Sequence, residues 1–237
     1  MKIYTFYTDS HKVLLDRCIE SLRTVGELDV ITAKFEQTTE DGTFHAPGWS
    51  DTMVKKLEYI DYSMESNKPF VHADCDIVFY ARFTEAILHS MQESGLDIVF
   101  QSDGDGMVCM GFFACIPTAL SRHLFRQARN LVLDKTARDD QHAVNMLIHS
   151  PSFSKLRVGL LGKDSYSIWR QTGRKVWSPG MTVLPISHPI FMHHANWVIG
   201  VESKIKLIDL VGSLLPKFPH DYLKQVDIDE LPRVIVN

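Results

Sequence analysis

The stretch Pro69-Phe-Val-His-Ala-Asp-Cys-Asp-Ile-Val-Phe-Tyr80 decides how the rest of the chain is interpreted. Its opening run is short and mostly apolar, which predicts a strand buried on both faces. Asp74 and Asp76 follow directly, before the apolar run resumes at Ile77. In extended backbone, side chains two residues apart point the same way, so the two carboxylates can converge. Because buried carboxylates need a positive partner, the pair predicts a hard divalent cation at the carboxyl end of a sheet strand.

Two other Asp-x-Asp pairs occur in the chain and are interpreted differently. Asp103 and Asp105 lie in the glycine-rich sequence 102–106, which predicts a turn and lacks the closing Glu of a calcium-binding loop. Asp227 and Asp229 lie in an acidic segment near the C-terminus, where we expect a solvated loop. Only the first pair lies between two apolar runs, so it is the candidate metal site.

Length and composition favour one globular domain of ordinary character. The 237 residues are 45% hydrophobic and 23% charged, with a net charge of −4. This balance argues against a nucleic-acid partner, since such proteins normally present a basic face. The N-terminus lacks a signal-peptide pattern and no apolar run has the length of a membrane span, so we expect a cytoplasmic protein without a transmembrane segment. The cysteines lack zinc-finger spacing and predict mostly buried, reduced thiols: Cys18, Cys75, Cys109 and Cys115.

Strands and helices alternate along most of the chain, which predicts an α/β domain. We place this domain at 1–215 and a C-terminal tail at 216–237. Strands are expected over 2–7, 28–35, 69–73, 96–101 and 108–116. Helices are expected to begin after a helix cap near Ser10, at Ser50, at Thr84, at Pro117 and near Asp139, with a closing helix over 199–215.

Polar residues at two strand and helix boundaries are further candidates. Thr8 and Asp9 follow the first strand, and ligands of α/β sheets bind beyond the carboxyl ends of strands. Helix capping explains these two residues equally well. Asp139 is explained by capping, because acidic residues complement a helix N-terminus. Capping explains the following pair, Asp140 and Gln141, less well.

Four features occur in one order and together carry a resemblance. They are Asp-Cys-Asp closing a strand, Gly111-Phe-Phe in a later apolar run, Asp140-Gln141 on a helix, and His194-Ala-Asn-Trp-x-x-Gly-x-x-x-Lys204. A glycine inside a strand indicates a bulge or a close approach. Over about residues 1–210 the chain resembles the nucleotide-diphospho-sugar transferase family of GT-A glycosyltransferases, on the retaining side. This resemblance implies a single GT-A (Rossmann-like) domain with a mixed, mostly parallel central sheet flanked by helices.

The resemblance also implies roles for individual residues. Asp74 and Asp76 would hold a Mn²⁺ or Mg²⁺ that bridges the donor diphosphate, and Asp74 would also lie near the ribose. His194 would be the third ligand; His193 is the alternative, and the family pattern His-x-Asn followed by Gly and Lys favours His194. The other implied contacts are those with the donor: Lys204 and Gly200 at the diphosphate, Thr8 and Asp9 at the nucleoside, Gly111 and Lys56 in the nucleotide-sugar site, and Asp140 and Gln141 facing the sugar as catalytic residues.

The chemistry of the residues agrees with these roles. A sugar leaves a nucleoside diphosphate with charge building on the β-phosphate, which a cation and a lysine stabilise. Two carboxylates and an imidazole suit Mn²⁺. Asp140 would supply a carboxylate to an oxocarbenium-like centre. Covalent double displacement and same-face substitution both stay open.

The sequence departs from the family pattern in two places and leaves the acceptor open. Met110 stands where a small polar residue is usual, and Arg82-Phe83 lacks the proline often found after Asp-x-Asp. We expect a UDP-sugar donor and a glycan, lipid-linked sugar or protein hydroxyl as acceptor, held around 152–181. Peripheral membrane contact stays open.

Two other functions are alternatives to the transferase. A nucleotidyltransferase would carry a basic, glycine-rich loop after the first strand, where this chain has Thr8-Asp-Ser-His11. A non-catalytic sugar-nucleotide-binding protein of the same fold stays open.

Overall fold

Buried strands and amphipathic helices alternate along the chain, as the hydrophobic pattern predicts. The computed structural model describes residues 1–40, 46–162, 165–167, 176–183, 186 and 188–231. The strands in these residues are β1 (Lys2–Tyr7), β2 (Val30–Lys34), β3 (Phe70–Ala73), β4 (Ile77–Phe79), β5 (Ile98–Gly104), β6 (Met107–Cys115), β7 (Val158–Leu161), β8 (Ser165–Ser167), β9 (Met192–His194) and β10 (Ile228–Glu230). The α-helices are α1 (Lys12–Val25), α2 (Trp49–Ser63), α3 (Thr84–Glu93), α4 (Ala119–Leu133), α5 (Asp140–Ile148) and α6 (Val201–Leu214).

The main sheet has seven strands in the order β10-β7-β5-β6-β3-β1-β2. β1 is parallel to both β2 and β3, and β5 is parallel to β7. β6 runs antiparallel to its neighbours β3 and β5, and β10 runs antiparallel to β7. Within the described residues, only β6 and β10 oppose the common direction. The predicted mixed, mostly parallel sheet is confirmed.

β3 lies inside this sheet and is buried along its whole length. Phe70 packs in one core cluster, which includes side chains of α2, α4 and α5. Val71 and Ala73 pack in a second cluster on the opposite face, with side chains of α1 and α3. This alternation follows the two-residue period of a strand. Full burial of each large side chain contributes about 1.5–3 kcal/mol, so the strand that carries the acidic pair is firmly anchored.

A second, three-stranded sheet has the order β4-β9-β8. β4 begins directly after Asp76 and pairs antiparallel with β9, so that Ile77 faces His194. The amide of Ala195 extends this pairing by donating to the carbonyl of Asp76, with 3.1 Å between N and O. Two segments that are distant in sequence therefore meet beside the acidic pair.

The helix starts show which capping expectations hold. Asp139 caps α5 as predicted, because its carboxylate accepts from the His142 amide at 2.7 Å. Thr118, next to the predicted start, forms a capping box with Ser121 at the start of α4. The prediction at Ser50 was wrong: α2 begins one residue earlier, after Gly48 with φ 86°, and the N-cap makes no side-chain hydrogen bond.

Two other capping expectations also differ from the structure. Near Ser10 the chain forms a short 3₁₀ turn before α1, without a side-chain cap. At the start of α3, the carboxylate of Glu27 accepts from the amides of Phe83 and Thr84, both at 2.9 Å. Thr84 itself donates its hydroxyl to Glu27 at 2.9 Å. Glu27, in the loop between α1 and β2, therefore supplies the cap that was expected from Thr84.

The C-terminal segment adds a strand at the edge of the main sheet. Asp229 lies in β10 opposite Leu160, so the predicted loop was wrong for this residue, although its side chain is solvated. Asp227 precedes the strand and is exposed, as the loop prediction expected. Ile228 is half-buried and pairs with Leu161 of β7. This pairing along the free edge of β7 favours a strand over a loop at Ile228. The division at residue 215 stays a prediction.

Two expectations drawn from composition concern the cysteines and the hydropathy of the helices. The four cysteines are buried and free, as predicted: Cys18, Cys75, Cys109 and Cys115. None of the described helices combines the length and hydropathy that crossing a bilayer requires.

Candidate functional site

Three side chains converge at the carboxyl end of β3. Asp74, Asp76 and His194 each offer one ligand atom, and these atoms all lie within 4.8 Å of one another. Within the described ranges this is the one group of three acidic, histidine or cysteine side chains that meets such a spacing. Cys75 and Asp76 form a turn between β3 and β4 rather than extended backbone, so the convergence predicted from strand geometry comes from a turn instead.

Gly111 makes room for the imidazole of His194. A β-carbon at position 111 would lie 2.1 Å from Cε1 of that ring, far inside van der Waals contact. The carbonyl of Gly111 also accepts from the amide of Asp74 at 2.7 Å. The predicted close approach at this glycine is confirmed, and the group that approaches is a side chain of the protein itself.

His194 is held with one nitrogen toward the carboxylates. Its Nε2 lies 3.2 Å from Oδ1 of Asp76, and its Nδ1 lies 2.8 Å from Oε1 of Gln101. Nδ1 donates to the amide oxygen of Gln101, so Nε2 is the nitrogen that would bind a metal once it has released its own proton. Burial by itself lowers the pKa of His194, but Asp76 and Cys109 outweigh it and raise the pKa to about 10.

His193, the alternative ligand, is not part of this group. It is fully buried, and burial lowers its pKa to about 3, so the ring is neutral at ordinary pH. The two histidines are consecutive in β9, where neighbouring side chains point to opposite faces. The strand geometry therefore explains why only His194 faces the acidic pair.

Two lysines supply positive charge to the carboxylates. Nζ of Lys56 lies 2.9 Å from Oδ1 of Asp74 and 3.1 Å from Oδ2 of Asp140. Nζ of Lys204 contacts Oδ2 of Asp76 and lies 3.2 Å from the carbonyl oxygen of Ala195. The half-buried Asp74 and the buried Asp76 and Asp140 are thus each paired with an ammonium, as the cost of burying unpaired charge demands.

The pKa values of the three carboxyl groups reflect these partners. Burial raises the pKa of Asp76, but Lys204 and His194 outweigh it and hold that pKa well below its usual range. For Asp74 burial acts the same way, but Lys56 and His72 outweigh it and lower the pKa. For Asp140 burial wins over the attraction of Lys56, and the pKa is raised. The acidic pair is therefore ionised at neutral pH.

Lys56 is only 2% exposed, although it lies off the apolar stripe of α2. A lysine at such a position is usually solvated, and its neighbour Lys55 does pair with Glu36 near the surface, at 3.5 Å. Lys56 instead turns inward, where Asp74 and Asp140 compensate its charge. The resemblance selected this lysine, whereas the helical pattern did not.

Asp103 belongs to the site region although the sequence suggested only a turn. The turn is formed by Asp105 and Gly106, with φ of 49° and 74°, whereas Asp103 is buried near the end of β5. Its Oδ2 accepts from Nε2 of Gln141 and its Oδ1 from Nε1 of Trp197, both at 3.0 Å. The polar residues 101–103 follow the apolar run directly, with no glycine before position 104, and this continuity was the signal that could have placed Asp103 in the strand.

Gln141 and Gln101 are both held by polar partners. Oε1 of Gln141 accepts from the amide of Met110 at 3.2 Å, while its Nε2 binds Asp103. Gln101 was not among the site residues predicted from the sequence. It is buried in β5 and contacts His194. Gln101 therefore holds the imidazole of His194, and Gln141 links α5 to β5 and β6.

The remaining predicted residues are Thr8, Asp9 and Gly200. Within the described part of the chain they lie at the same edge of the sheet and do not contact the acidic pair. Thr8 is buried at the end of β1, the parallel neighbour of β3. Asp9 is exposed and pairs with Lys34 at 2.6 Å. Gly200, with φ 84°, precedes α6, and a β-carbon there would meet open space. Its carbonyl accepts from the amide of Lys204 at 3.1 Å, in the first turn of α6.

Comparisons with known proteins concern the family and the fold of the chain. A family model described as nucleotide-diphospho-sugar transferase matches residues 14–208. No curated protein sequence matches the chain. The described fold is similar to solved structures of GT-A glycosyltransferases, and at the identities found this likeness concerns the fold alone.

Three such structures illustrate the likeness. One is a glycosyltransferase involved in glycosylation of the major capsid of PBCV-1, with TM-score 0.58, 8% identity and coverage of 87% of this chain and 98% of that chain. Another is the galactosyltransferase LgtC, with TM-score 0.55, 14% identity and coverage of 92% and 98%. A third is the glycosyltransferase GlyE of Streptococcus pneumoniae, with TM-score 0.52, 9% identity and coverage of 87% and 59%.

Proposed function

The chain belongs to the nucleotide-diphospho-sugar transferase family and is a glycosyltransferase, and on this premise we propose a specific reaction for it. It transfers a hexose or a similar sugar from a UDP-sugar, with retention and with the help of a divalent cation. The acceptor is a hydroxyl group of a glycan, a lipid-linked sugar or a protein. The observation that supports the proposal is the convergence of Asp74, Asp76 and His194 at the carboxyl edge of the sheet. The family match favours this reaction over nucleotidyl transfer.

The three converging residues suit Mn²⁺ or Mg²⁺. Two carboxylates and an imidazole match the ligand preference of Mn²⁺, and Nε2 of His194 faces Asp76 while Gln101 fixes the ring. When bound, the cation would supply positive charge to the diphosphate that leaves the sugar. Lys204 contacts Asp76 and would add a charged hydrogen bond to the diphosphate.

Asp140 and Gln141 are the residues we assign to the sugar. Both are at the start of α5, and Lys56 links Asp140 to Asp74. An ionised carboxylate beside the anomeric carbon would stabilise an oxocarbenium-like transition state. Asp103 and the Met110 amide hold the Gln141 side chain in one orientation, and such fixed polar groups are the source of electrostatic stabilisation.

Thr8, Asp9, Gly111 and Gly200 complete the proposed donor site. Thr8 and Asp9 lie at the carboxyl end of β1, where ligands of open α/β sheets bind. The choice of UDP as the nucleotide follows from the family resemblance. The proposed acceptor region 152–181 falls partly outside the described residues.

A thermal-shift panel of nucleotides and UDP-sugars, with Mn²⁺ or with chelator, tests the donor and the metal together. A ligand at a hundred times its Kd stabilises the native state by about 2.7 kcal/mol, which raises Tm by about 5–10 °C for a chain of this size. We expect such a rise for UDP and at least one UDP-sugar with Mn²⁺, and little rise with chelator. Equal shifts with chelator would remove the metal from the proposal.

Transfer itself is tested by release of UDP from the UDP-sugar that binds. Asp140→Asn should keep UDP binding but lose Mn²⁺-dependent release, because the carboxylate acts at the sugar and not at the nucleotide. Asp229→Asn, an exposed change on β10, is the matched control and should behave like wild type. Full activity of Asp140→Asn would remove this residue from the mechanism.

A further inference from the structure

Lys204 occupies a position that a divalent cation would share. Its ammonium contacts Oδ2 of Asp76, while Oδ1 of the same carboxylate lies 3.2 Å from Nε2 of His194. Both oxygens of this buried carboxylate therefore already have partners. An ion bound by Asp76 and His194 would meet the ammonium at close range, and two cations there repel each other.

We propose that Lys204 competes with the divalent cation for Asp76, so that metal and nucleotide diphosphate bind cooperatively. This inference rests on the proposed function, because it concerns the same metal and the same diphosphate. A diphosphate offers Lys204 a second anionic partner. Transfer of the ammonium from Asp76 to the phosphate frees the carboxylate for the metal and removes the repulsion between the two cations.

The two lysines of the site differ in their freedom to make this move. Lys56 has a side chain that is 3% exposed, and two carboxylates hold its ammonium from both sides. Lys204 is 17% exposed and binds one carboxylate and one backbone carbonyl. Its four-carbon stem starts in the first turn of α6, so rotation of the side chain alone can carry the ammonium away. Lys204 is the mobile counter-charge, and Lys56 is the fixed one.

Thermodynamic linkage makes the consequence measurable. If diphosphate binding relieves the competition, UDP must raise the affinity for Mn²⁺ by the same factor by which Mn²⁺ raises the affinity for UDP. Coupling between sites is typically about 5–150-fold. Without Lys204, the part of this coupling that comes from competition disappears, and Mn²⁺ binds more tightly in the absence of nucleotide.

The test is calorimetric or spectroscopic titration of Mn²⁺ into wild type and Lys204→Met, with and without UDP. Without UDP we expect the variant to bind Mn²⁺ at least about fivefold more tightly than wild type, and its UDP–Mn²⁺ coupling to shrink. Lys204→Gln provides a second variant, since it keeps a polar side chain at this position without the positive charge. It should show the same gain. Lys206→Met, which removes an exposed pair with Glu202 on the same helix, is the control and should bind like wild type.

The outcomes separate this inference from the proposed function. Equal Mn²⁺ affinity in wild type and both Lys204 variants, with UDP-dependent binding retained, overturns the competition and leaves the metal site standing. Absence of Mn²⁺ binding in all proteins, even with UDP, overturns the proposed metal site itself. Tighter binding in both variants with reduced coupling supports the inference.

Discussion

Position 111 and the ring of His194 are so close that a β-carbon at 111 would lie 2.1 Å from Cε1. Gly111 lies inside β6, between buried neighbours on both sides. The ring cannot retreat freely, because Gln101 binds its Nδ1 at 2.8 Å. The metal-facing orientation of His194 in β9 therefore depends on the absence of a side chain at position 111 of β6, a strand of the other sheet.

Gly111→Ala should move the imidazole and weaken metal binding. Changes that disturb the orientation of a ligand typically cost about 10–100-fold in metal affinity, and insertion of a methyl group into a packed core costs about 1–3 kcal/mol of stability. Mn²⁺ titration with UDP present, together with urea unfolding, measures both effects. Gly212→Ala is the matched control, since a β-carbon there would lie 3.8 Å from the Tyr80 hydroxyl, at ordinary contact distance. Unchanged Mn²⁺ affinity in Gly111→Ala would contradict the proposed role of the glycine.

Lys56→Met should destabilise the fold as well as the site. The substitution keeps the length of the side chain but leaves Asp74 and Asp140 without their shared cation. Removing one partner of a buried ion pair costs about 3–5 kcal/mol, which urea unfolding measures directly. Lys55→Met should stay within about 0.5 kcal/mol of wild type, as surface changes do. The same stability in both variants would mean that Lys56 does not compensate the buried charges.

Trp197→Phe should lower the transfer rate more than it lowers stability. The indole nitrogen donates to Asp103, which also holds Gln141, and Trp197 has φ 57°, a region that non-glycine residues rarely adopt. A hydrogen bond to a charged group contributes about 1.5–3 kcal/mol, so we expect a loss of about tenfold or more in kcat/KM for the donor. Trp177→Phe removes a buried indole whose nitrogen has no hydrogen-bond partner within the described part of the chain. If both substitutions lower kcat/KM equally, the link through Asp103 has no special role.

Glu27→Gln should affect α3 and leave the chemistry intact. The amide keeps one oxygen as an acceptor, but its nitrogen cannot accept from the Thr84 hydroxyl or the backbone amides. Loss of a cap costs about 0.5–2 kcal/mol, which chemical denaturation detects. UDP-dependent Mn²⁺ binding should not change, because Glu27 contacts the start of α3 rather than the acidic pair. An altered Mn²⁺ affinity at unchanged stability would show a coupling that these contacts do not explain.

Some parts of the site were predictable because they depend on local chemistry. Asp74 and Asp76 stand out in a sequence because carboxylates between two apolar runs need an explanation. The capping role of Asp139 follows from its position before a helix. The alternation of strands and helices was likewise sufficient to predict an α/β sheet.

Other parts depend on contacts between distant segments, which no local pattern specifies. The pairing of Ile77 with His194 joins β4 and β9 across about half of the chain, so the third ligand was found by resemblance only. Lys56 on α2 can be buried because its ammonium pairs with Asp140 on α5, a different helix. Asp103 was not predicted as a site residue because a turn follows it within two residues. The glycine-rich sequence 102–106 contains both the buried carboxylate and the turn, and the turn pattern was the stronger signal.

The central claim is that the imidazole of His194 binds the metal together with Asp74 and Asp76. Pulsed electron paramagnetic resonance of Mn²⁺ with UDP, on protein labelled with ¹⁵N-histidine, detects a directly bound histidine nitrogen. We predict this nitrogen coupling in wild type, its loss in His194→Gln and its retention in His142→Gln, which alters an exposed histidine on α5. A wild-type complex that binds Mn²⁺ without nitrogen coupling, or coupling that persists in His194→Gln, would contradict the claim.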